Sequence, residues 1–469
     1  MPMKLSTLLV LDDRACGVVT SLSVHPPILR WRAHAPAAGI AGAGLRCIGV
    51  LLGATLTAAA HAHYEVRVAP GAPGPALEMS LALPSDVAVP TRLAPRGAAW
   101  GLTPQVSDVR CGQVPLSQDT DGHWVAPAGC TAVTWRVMPD PVPPEGVDAS
   151  AQRTWAVGSR PWYLLAEPTS LLRPVDTDAA TVIRAARGSL PLLGATPVQP
   201  GAFRVPPATG APEFYVVGRP RVSQRQVGAF TITDVADDAS TVRRLGLQAL
   251  HAKALNALLR AVPVPTAGAA GDRSLMVVWL GVAESRGRAG GAAGSRSFVA
   301  NYVRGQPAND RRNAALTTMV LAHEQFHQLV DLARSERPPQ PTATWIEESL
   351  AHYYGLKALE AADGSKPARE VRARFIDPAR PVEHGLLELN RRHAAGDPAA
   401  YGLFYSQGAT FWHLVDSAIV AATQGRQSLD SHLGDLLHLP IAEDGALPAS
   451  FVDRLRPVVG SRIDEVVAK

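Results

Sequence analysis

The stretch His323-Glu324-Gln325-Phe326-His327 limits what this chain can fold into more than any other. On an α-helix, residues four apart project from nearly the same side, so both imidazoles can face one metal ion. Glu324 is offset by one residue step (~100°), where its carboxylate can reach a water on that ion. Two neutral imidazoles and a carboxylate form a ligand set that suits zinc and leaves a fourth position for water. A carboxylate beside such a water is a general base. The alternative for these five residues is a surface helix with two solvated histidines, and the flanking sequence decides against it.

Within residues 313–334, Leu316, Val320, His323, His327 and Val330 recur at helical spacing, which puts both histidines on the stripe that faces the interior. Histidines on such a stripe are costly unless hydrogen-bonded or metallated. Arg334 and the Pro338-Pro339 pair close the helix. A third ligand is expected from a second helix that begins at Thr344-Trp-Ile-Glu347-Glu348. Thr344 and Glu347 read as a capping box, which occupies Glu347 and leaves Glu348 for the metal. His352 lies four residues beyond Glu348 on the same face, where it orients Glu348, lines the cleft or simply packs.

Downstream, Trp345-Ile-Glu-Glu-Ser-Leu-Ala-His-Tyr-Tyr354 is followed by Tyr405-Ser-Gln-Gly408-Ala409 and then Gly425-Arg-Gln-Ser428-Leu429-Asp430. In order and spacing, the region from about residue 230 to 437 resembles the gluzincin metallopeptidases, and most closely the glycyl aminopeptidase family. The resemblance implies one zinc ion held by His323, His327 and Glu348, with Glu324 as the base. It assigns Tyr405 as the hydroxyl that hydrogen-bonds the tetrahedral oxyanion, a role in which a phenol acts most strongly on developing charge in a dry site. It also implies a peptide or protein substrate and a thermolysin-like catalytic domain.

The chain departs from the family pattern in three places. Ser349 stands where the family has glycine after the zinc-binding glutamate. The family commonly carries a PDZ domain after the catalytic region, and too few residues remain before Lys469 for one. In Gly290-Gly-Ala-Ala-Gly-Ser-Arg-Ser297, Ala293 and Gly294 occupy the register of the family's Glu and His, and that Glu receives the substrate's α-amine. Glu284, upstream in a Gly/Arg-rich loop, is the nearest replacement, with Glu347 as another. The expected result is weak release of amino-terminal residues, with Ser295, Arg296 and Ser297 lining a neutral or basic substrate groove.

The 469 residues suffice for two or three domains. Residues 1–62 read as a leader: Arg46, an apolar run from Cys47 to Ala60 and the Ala60-His-Ala62 end have the order of a secretory signal. An uncleaved anchor is the alternative and would be the sole reason to expect a membrane partner. Residues 63–232 alternate in short runs broken by Gly, Pro and Asp, as an all-β domain does. Residues 233–469 read as the catalytic domain, mainly helical towards the carboxy terminus, which makes the chain α+β. Of four cysteines, Cys16 and Cys47 fall in the leader, leaving Cys111 and Cys130 to staple a hairpin in an oxidising compartment, periplasmic or extracellular. Basic residues are scattered and the net charge is only +4, so nucleic-acid binding is not expected. Two rivals to peptide hydrolysis remain open at this level: a degenerate zinc-binding module that holds a peptide or protein without turnover, and a zinc hydrolase of a non-peptide substrate.

Overall fold

A computed structural model of the chain describes residues 63–467 apart from 70–75, 85–88, 160, 179, 266–272, 287–288, 336–341, 383 and 443. The leader with Cys16 and Cys47, and the Pro338-Pro339 helix stop, lie outside the described residues. The chain folds as a β-rich amino-terminal domain followed by a helical carboxy-terminal region.

Four layers follow from which strand faces are apolar. An eight-stranded sheet, centred on His63–Ala69 and Ala76–Ala82, turns Tyr64, Val66, Leu77 and Met79 inward. Facing it, a five-stranded sheet contributes Tyr163, Leu165, Tyr215 and Val217. Because side chains alternate along a strand, Leu164, Ala166, Phe214 and Val216 point the other way, onto a third sheet. Burial on both faces explains why Trp162–Ala166 and Phe214–Val217 are continuous apolar runs instead of alternating ones.

The third sheet has strands β1 (Arg221–Val227), β2 (Phe230–Ala236), β3 (Ser274–Ala283), β4 (Gly290–Ala293) and β5 (Ser297–Arg304), in the order β1-β2-β3-β5-β4. β2, β3 and β5 are parallel, while β1 and β4 run antiparallel at the edges. Met276, Val278 and Leu280 of β3 pack on the β-rich domain, and Val277 and Trp279 pack on the helices that form the fourth layer. The expected division between residues 232 and 233 falls inside β2. Both β1 and β2 pair into this sheet, which therefore starts at Arg221. Alternation alone does not say which sheet a strand joins.

Helix α1 (Leu247–Ala261) crosses between β2 and β3, and α2 (Asp310–Arg334) follows β5. α3 (Thr344–Ala362) packs against α2. After it, a helical run continues through a π-helical turn at Phe404–Gly408 into α4 (Ala409–Ala422). α2 is buried almost all round, because the sheet lies on one side and α1 and α3 on others. The expected single apolar stripe is thus too narrow: Thr317, Thr318, Gln325 and Gln328 are buried as well.

Cys111 and Cys130 form a disulfide with Cα atoms 6.1 Å apart, closing the turn that carries Asp119 and Gly122. No helix among the described residues is long and apolar enough to cross a membrane.

Candidate metal centre

α2 and α3 bring together the three residues expected to ligate a metal. His323 Nε2 lies 3.4 Å and His327 Nε2 3.7 Å from Glu348 Oε2. Three donors held about 2.0–2.1 Å from a tetrahedral zinc are spaced about 3.4 Å apart, so the set has the right size. His323 is fully buried, and neither of its ring nitrogens makes a hydrogen bond. Such a group is costly in a dry interior unless a cation takes a lone pair. On size, donor type and these unpartnered nitrogens, the residues fit zinc.

Close packing sets the aim of the ligands. A Cβ on Gly355 would sit 3.0 Å from the backbone nitrogen of His323 and 3.2 Å from its Cα, so α3 meets α2 at this height only because the residue is glycine. Two α3 turns earlier, Glu348 then points back at the histidines. The capping box that was expected to occupy Glu347 does not form. Thr344 is the first helical residue, Ala343 is the N-cap without a side-chain bond, and Glu347 pairs with Arg334 at 3.2 Å. Glu347 is turned away all the same, because a residue step of ~100° puts it on another face from Glu348.

The electrostatics separate the two carboxylates. Burial works to raise the pKa of Glu348, but the adjacent His327 and His323 hold it well below the usual carboxylate range. Glu324 is pushed up to about 7 by burial, with His323 lowering and Glu348 raising it. Its Oε2 is buried without a hydrogen bond, as a proton acceptor awaiting its partner would be. Tyr405 sits in the π-helical turn, a distortion often found at functional sites, and its hydroxyl donates to Glu348 Oε2 at 3.4 Å. Burial, with Tyr401 and Glu348 alongside, raises its pKa well above the ordinary value, so the phenol keeps its proton.

Ser349 has a definite job in place of the family's glycine: its Oγ accepts from Trp412 Nε1 of α4 at 2.7 Å. A Cβ on Gly408 would lie 2.4 Å from Ser349 Cβ, so Gly408 is what lets the π turn carry Tyr405 up to α3. Asp430, from the later motif, pairs with Lys357 of α3 at 2.8 Å and clamps that helix.

Around Ala293 the structure corrects two expectations. Ser297 does not line a groove. It is fully buried, its Oγ accepts from Phe214 N at 2.9 Å and donates to Glu213. Arg296 donates its backbone N–H to the other Glu213 oxygen at 3.2 Å, so the backbone here is tied to the β-rich domain. Nor is Glu284 within reach of the anchor slot. It follows β3, next to the end of β5 at Arg304, whereas Ala293 pairs with Phe298 at the start of β5, about 20 Å away along the strand. Its carboxylate accepts from Gln306 N at 3.3 Å and from Asn309. A carboxylate that does reach the slot is Glu213, whose Oε1 would lie 3.2 Å from a Cβ on Gly294; it comes from another domain and was not legible in the sequence. Burial pushes its pKa up to about 7 against the hydrogen bonds from Ser297, Phe214 and Arg296.

Two buried glutamines of α2 also escaped the sequence reading. Gln328 donates to the carbonyls of Gly294 and Ser297 at 2.8 and 2.9 Å, tying α2 to the β4–β5 turn. Gln325 bonds His251 of α1 at 2.7 Å. Polar residues on a helix face read as solvated unless tertiary partners are known.

No protein-family model and no curated protein matches the sequence. Solved structures do. An aminopeptidase N family protein from Idiomarina loihiensis superimposes with a TM-score of 0.59 at 14% identity, over 85% of this chain and 74% of that one. The fold is the aminopeptidase N fold. Legionella pneumophila aminopeptidase A, solved with aspartic acid, gives a TM-score of 0.41 at 11% identity over 87% of this chain, which spans about half (49%) of that protein.

Proposed function

We propose that the protein is an exported zinc metallopeptidase of the gluzincin type. The observation that carries this reading is the convergence of His323, His327 and Glu348 beside a buried, unpartnered Glu324 oxygen. The aminopeptidase N fold and the motif resemblance to glycyl aminopeptidases support the same class. When bound, zinc supplies a Lewis acid that acidifies a coordinated water and polarises the scissile carbonyl. Glu324 would take a proton from the attacking water as its oxygen adds to the scissile carbonyl carbon, and would pass that proton to the amine nitrogen as the C–N bond breaks. Tyr405 turns its hydroxyl from Glu348 to the oxyanion as charge develops there. Tyr405→Phe, which keeps the ring packing and removes the donor, should therefore lower kcat by about 10²–10³-fold with KM little changed. Full activity in steady-state assays of this variant would reduce Tyr405 to packing.

For specificity we propose internal bonds or blocked peptides over free amino termini. A substrate α-ammonium entering a dry cleft needs a carboxylate partner. Ala293 offers none, Glu213 is closed by its own hydrogen bonds, and Glu284 lies at the far end of β5. Digestion of one peptide in free and acetylated form tests this, alongside metal analysis of the purified protein. Comparable cleavage of both is expected; strong preference for the free amine sinks the reading. Zinc without cleavage of a broad peptide library would favour the binding-module rival, which the missing anchor makes worth testing.

Export rests on the leader pattern and the Cys111–Cys130 disulfide. Mass spectrometry of protein recovered from the periplasm or medium should find an amino terminus near His63 and no free thiol. Two free thiols would count against it.

A further inference from the structure

His352 is a buried histidine that the proposed reaction leaves without a task. It has no exposed surface, and neither ring nitrogen makes a hydrogen bond. Its ring lies 5.6 Å from that of His323, 5.0 Å from Tyr405 and 4.3 Å from Phe375. The Phe375 side chain has no polar atom, its carbonyl accepts from Thr410 Oγ1, and the Tyr405 hydroxyl donates to Glu348. His323 remains. Its Nε2 faces Glu348 Oε2, and its Nδ1 is buried without a partner.

We propose that His352 is the positioning residue behind the metal ligand His323, taking the hydrogen of His323 Nδ1 on an imidazole nitrogen. This rests on the reading of His323 as a zinc ligand. The backbone supplies the reach: His352 is one α3 turn beyond Glu348, a rise of ~6 Å, so one face of α3 presents both residues to the His323 ring. Two imidazoles joined by an N–H···N bond have centroids about 5 Å apart, and the observed 5.6 Å needs only a small ring rotation to close. Metal-bound histidines usually give their second N–H to a carboxylate, carbonyl or water, which fixes tautomer and ring orientation. Here a neutral ring takes that place and donates no negative charge to the ligand, so the bound metal keeps more of its Lewis acidity.

Zinc affinity, measured by competition with a chromogenic chelator, reads this out independently of turnover. His352→Phe keeps a packed ring beside Phe375 and removes both nitrogens. It should weaken zinc binding by about 10–100-fold, while the thermal melt of the metal-stripped protein stays near that of the unmodified chain. His352→Asn puts an acceptor where Nδ1 stands and His352→Gln where Nε2 stands, and one of them should restore affinity. Unchanged affinity in the Phe variant, or equal loss in all three, overturns the proposal. Should the variants fail to fold, the zinc-loaded unmodified protein decides. Nitrogen-15 spectra should show a coupling across the His323 Nδ1–H···N bond to His352, and its absence overturns the proposal. A protein that binds no zinc before any substitution would instead refute the metal reading itself.

Discussion

Glu324→Gln should leave one zinc bound per chain and lower peptide hydrolysis by about 10²–10⁴-fold. Glutamine matches glutamate in shape, so the packing of α2 is kept, and Glu324 is not among the three donors that converge. What is lost is a carboxylate oxygen next to the ligand set that is buried, unpartnered and able to take a proton. Burial holds its carboxyl near 7 in the absence of a cation, and a bound divalent ion would favour the ionised, proton-accepting form. Metal analysis paired with initial rates on a peptide found by library digestion measures both halves. Substantial residual activity would mean that another group, with Tyr405 next in line, handles the proton.

The second large effect belongs to the third ligand. Glu348→Ala should strip zinc from the purified protein, a greater loss than the ~10–100-fold typical of residues behind the ligands. It leaves two imidazoles without the carboxylate that completes the set, and it removes the negative charge that both histidines face at 3.4 and 3.7 Å. Glu347→Ala is the control, because Glu347 pairs with Arg334 on another face of α3 and should retain full zinc. Metal content after dialysis separates the two. Zinc retained by Glu348→Ala and lost by Glu347→Ala would reverse the assignment, and hydrolysis should track whichever residue holds the ion.

The capping box shows how a sound choice of residue can rest on local chemistry that does not form. Thr344 and Glu347 have the right spacing, yet α3 begins at Thr344 itself, so the cap position falls to Ala343. Glu348 is selected instead by helical phase and by the approach that Gly355 allows. Around Ala293 the error was of another kind. Glu284 is close to Ala293 in number but is placed at the opposite end of β5 by the parallel pairing of β3 and β5. Glu213 is distant in sequence and adjacent in space, brought there by the strand Phe214–Val217 stacking over the third sheet. The same stacking buried Ser297, whose hydroxyl had been assigned to substrate.

The shared direction of His323 and His327, with Glu324 beside them, was legible because it depends on spacing within one helix. Four residues return a side chain to the same face of α2 whatever surrounds it, so His323, Glu324 and His327 carry their geometry in their numbering. The alternation of short apolar runs likewise announced a β-rich domain ahead of the helices. Relations between elements were not legible, because they are set by which faces remain apolar after every strand and helix has found a partner. The four-layer stacking, the sheet to which β1 and β2 belong, the closure of Glu213 by Ser297, and the placing of His352 behind His323 all arise from packing between segments far apart in the chain. Sequence period fixes the direction of a side chain on its own helix or strand, and only the tertiary structure decides what it meets there.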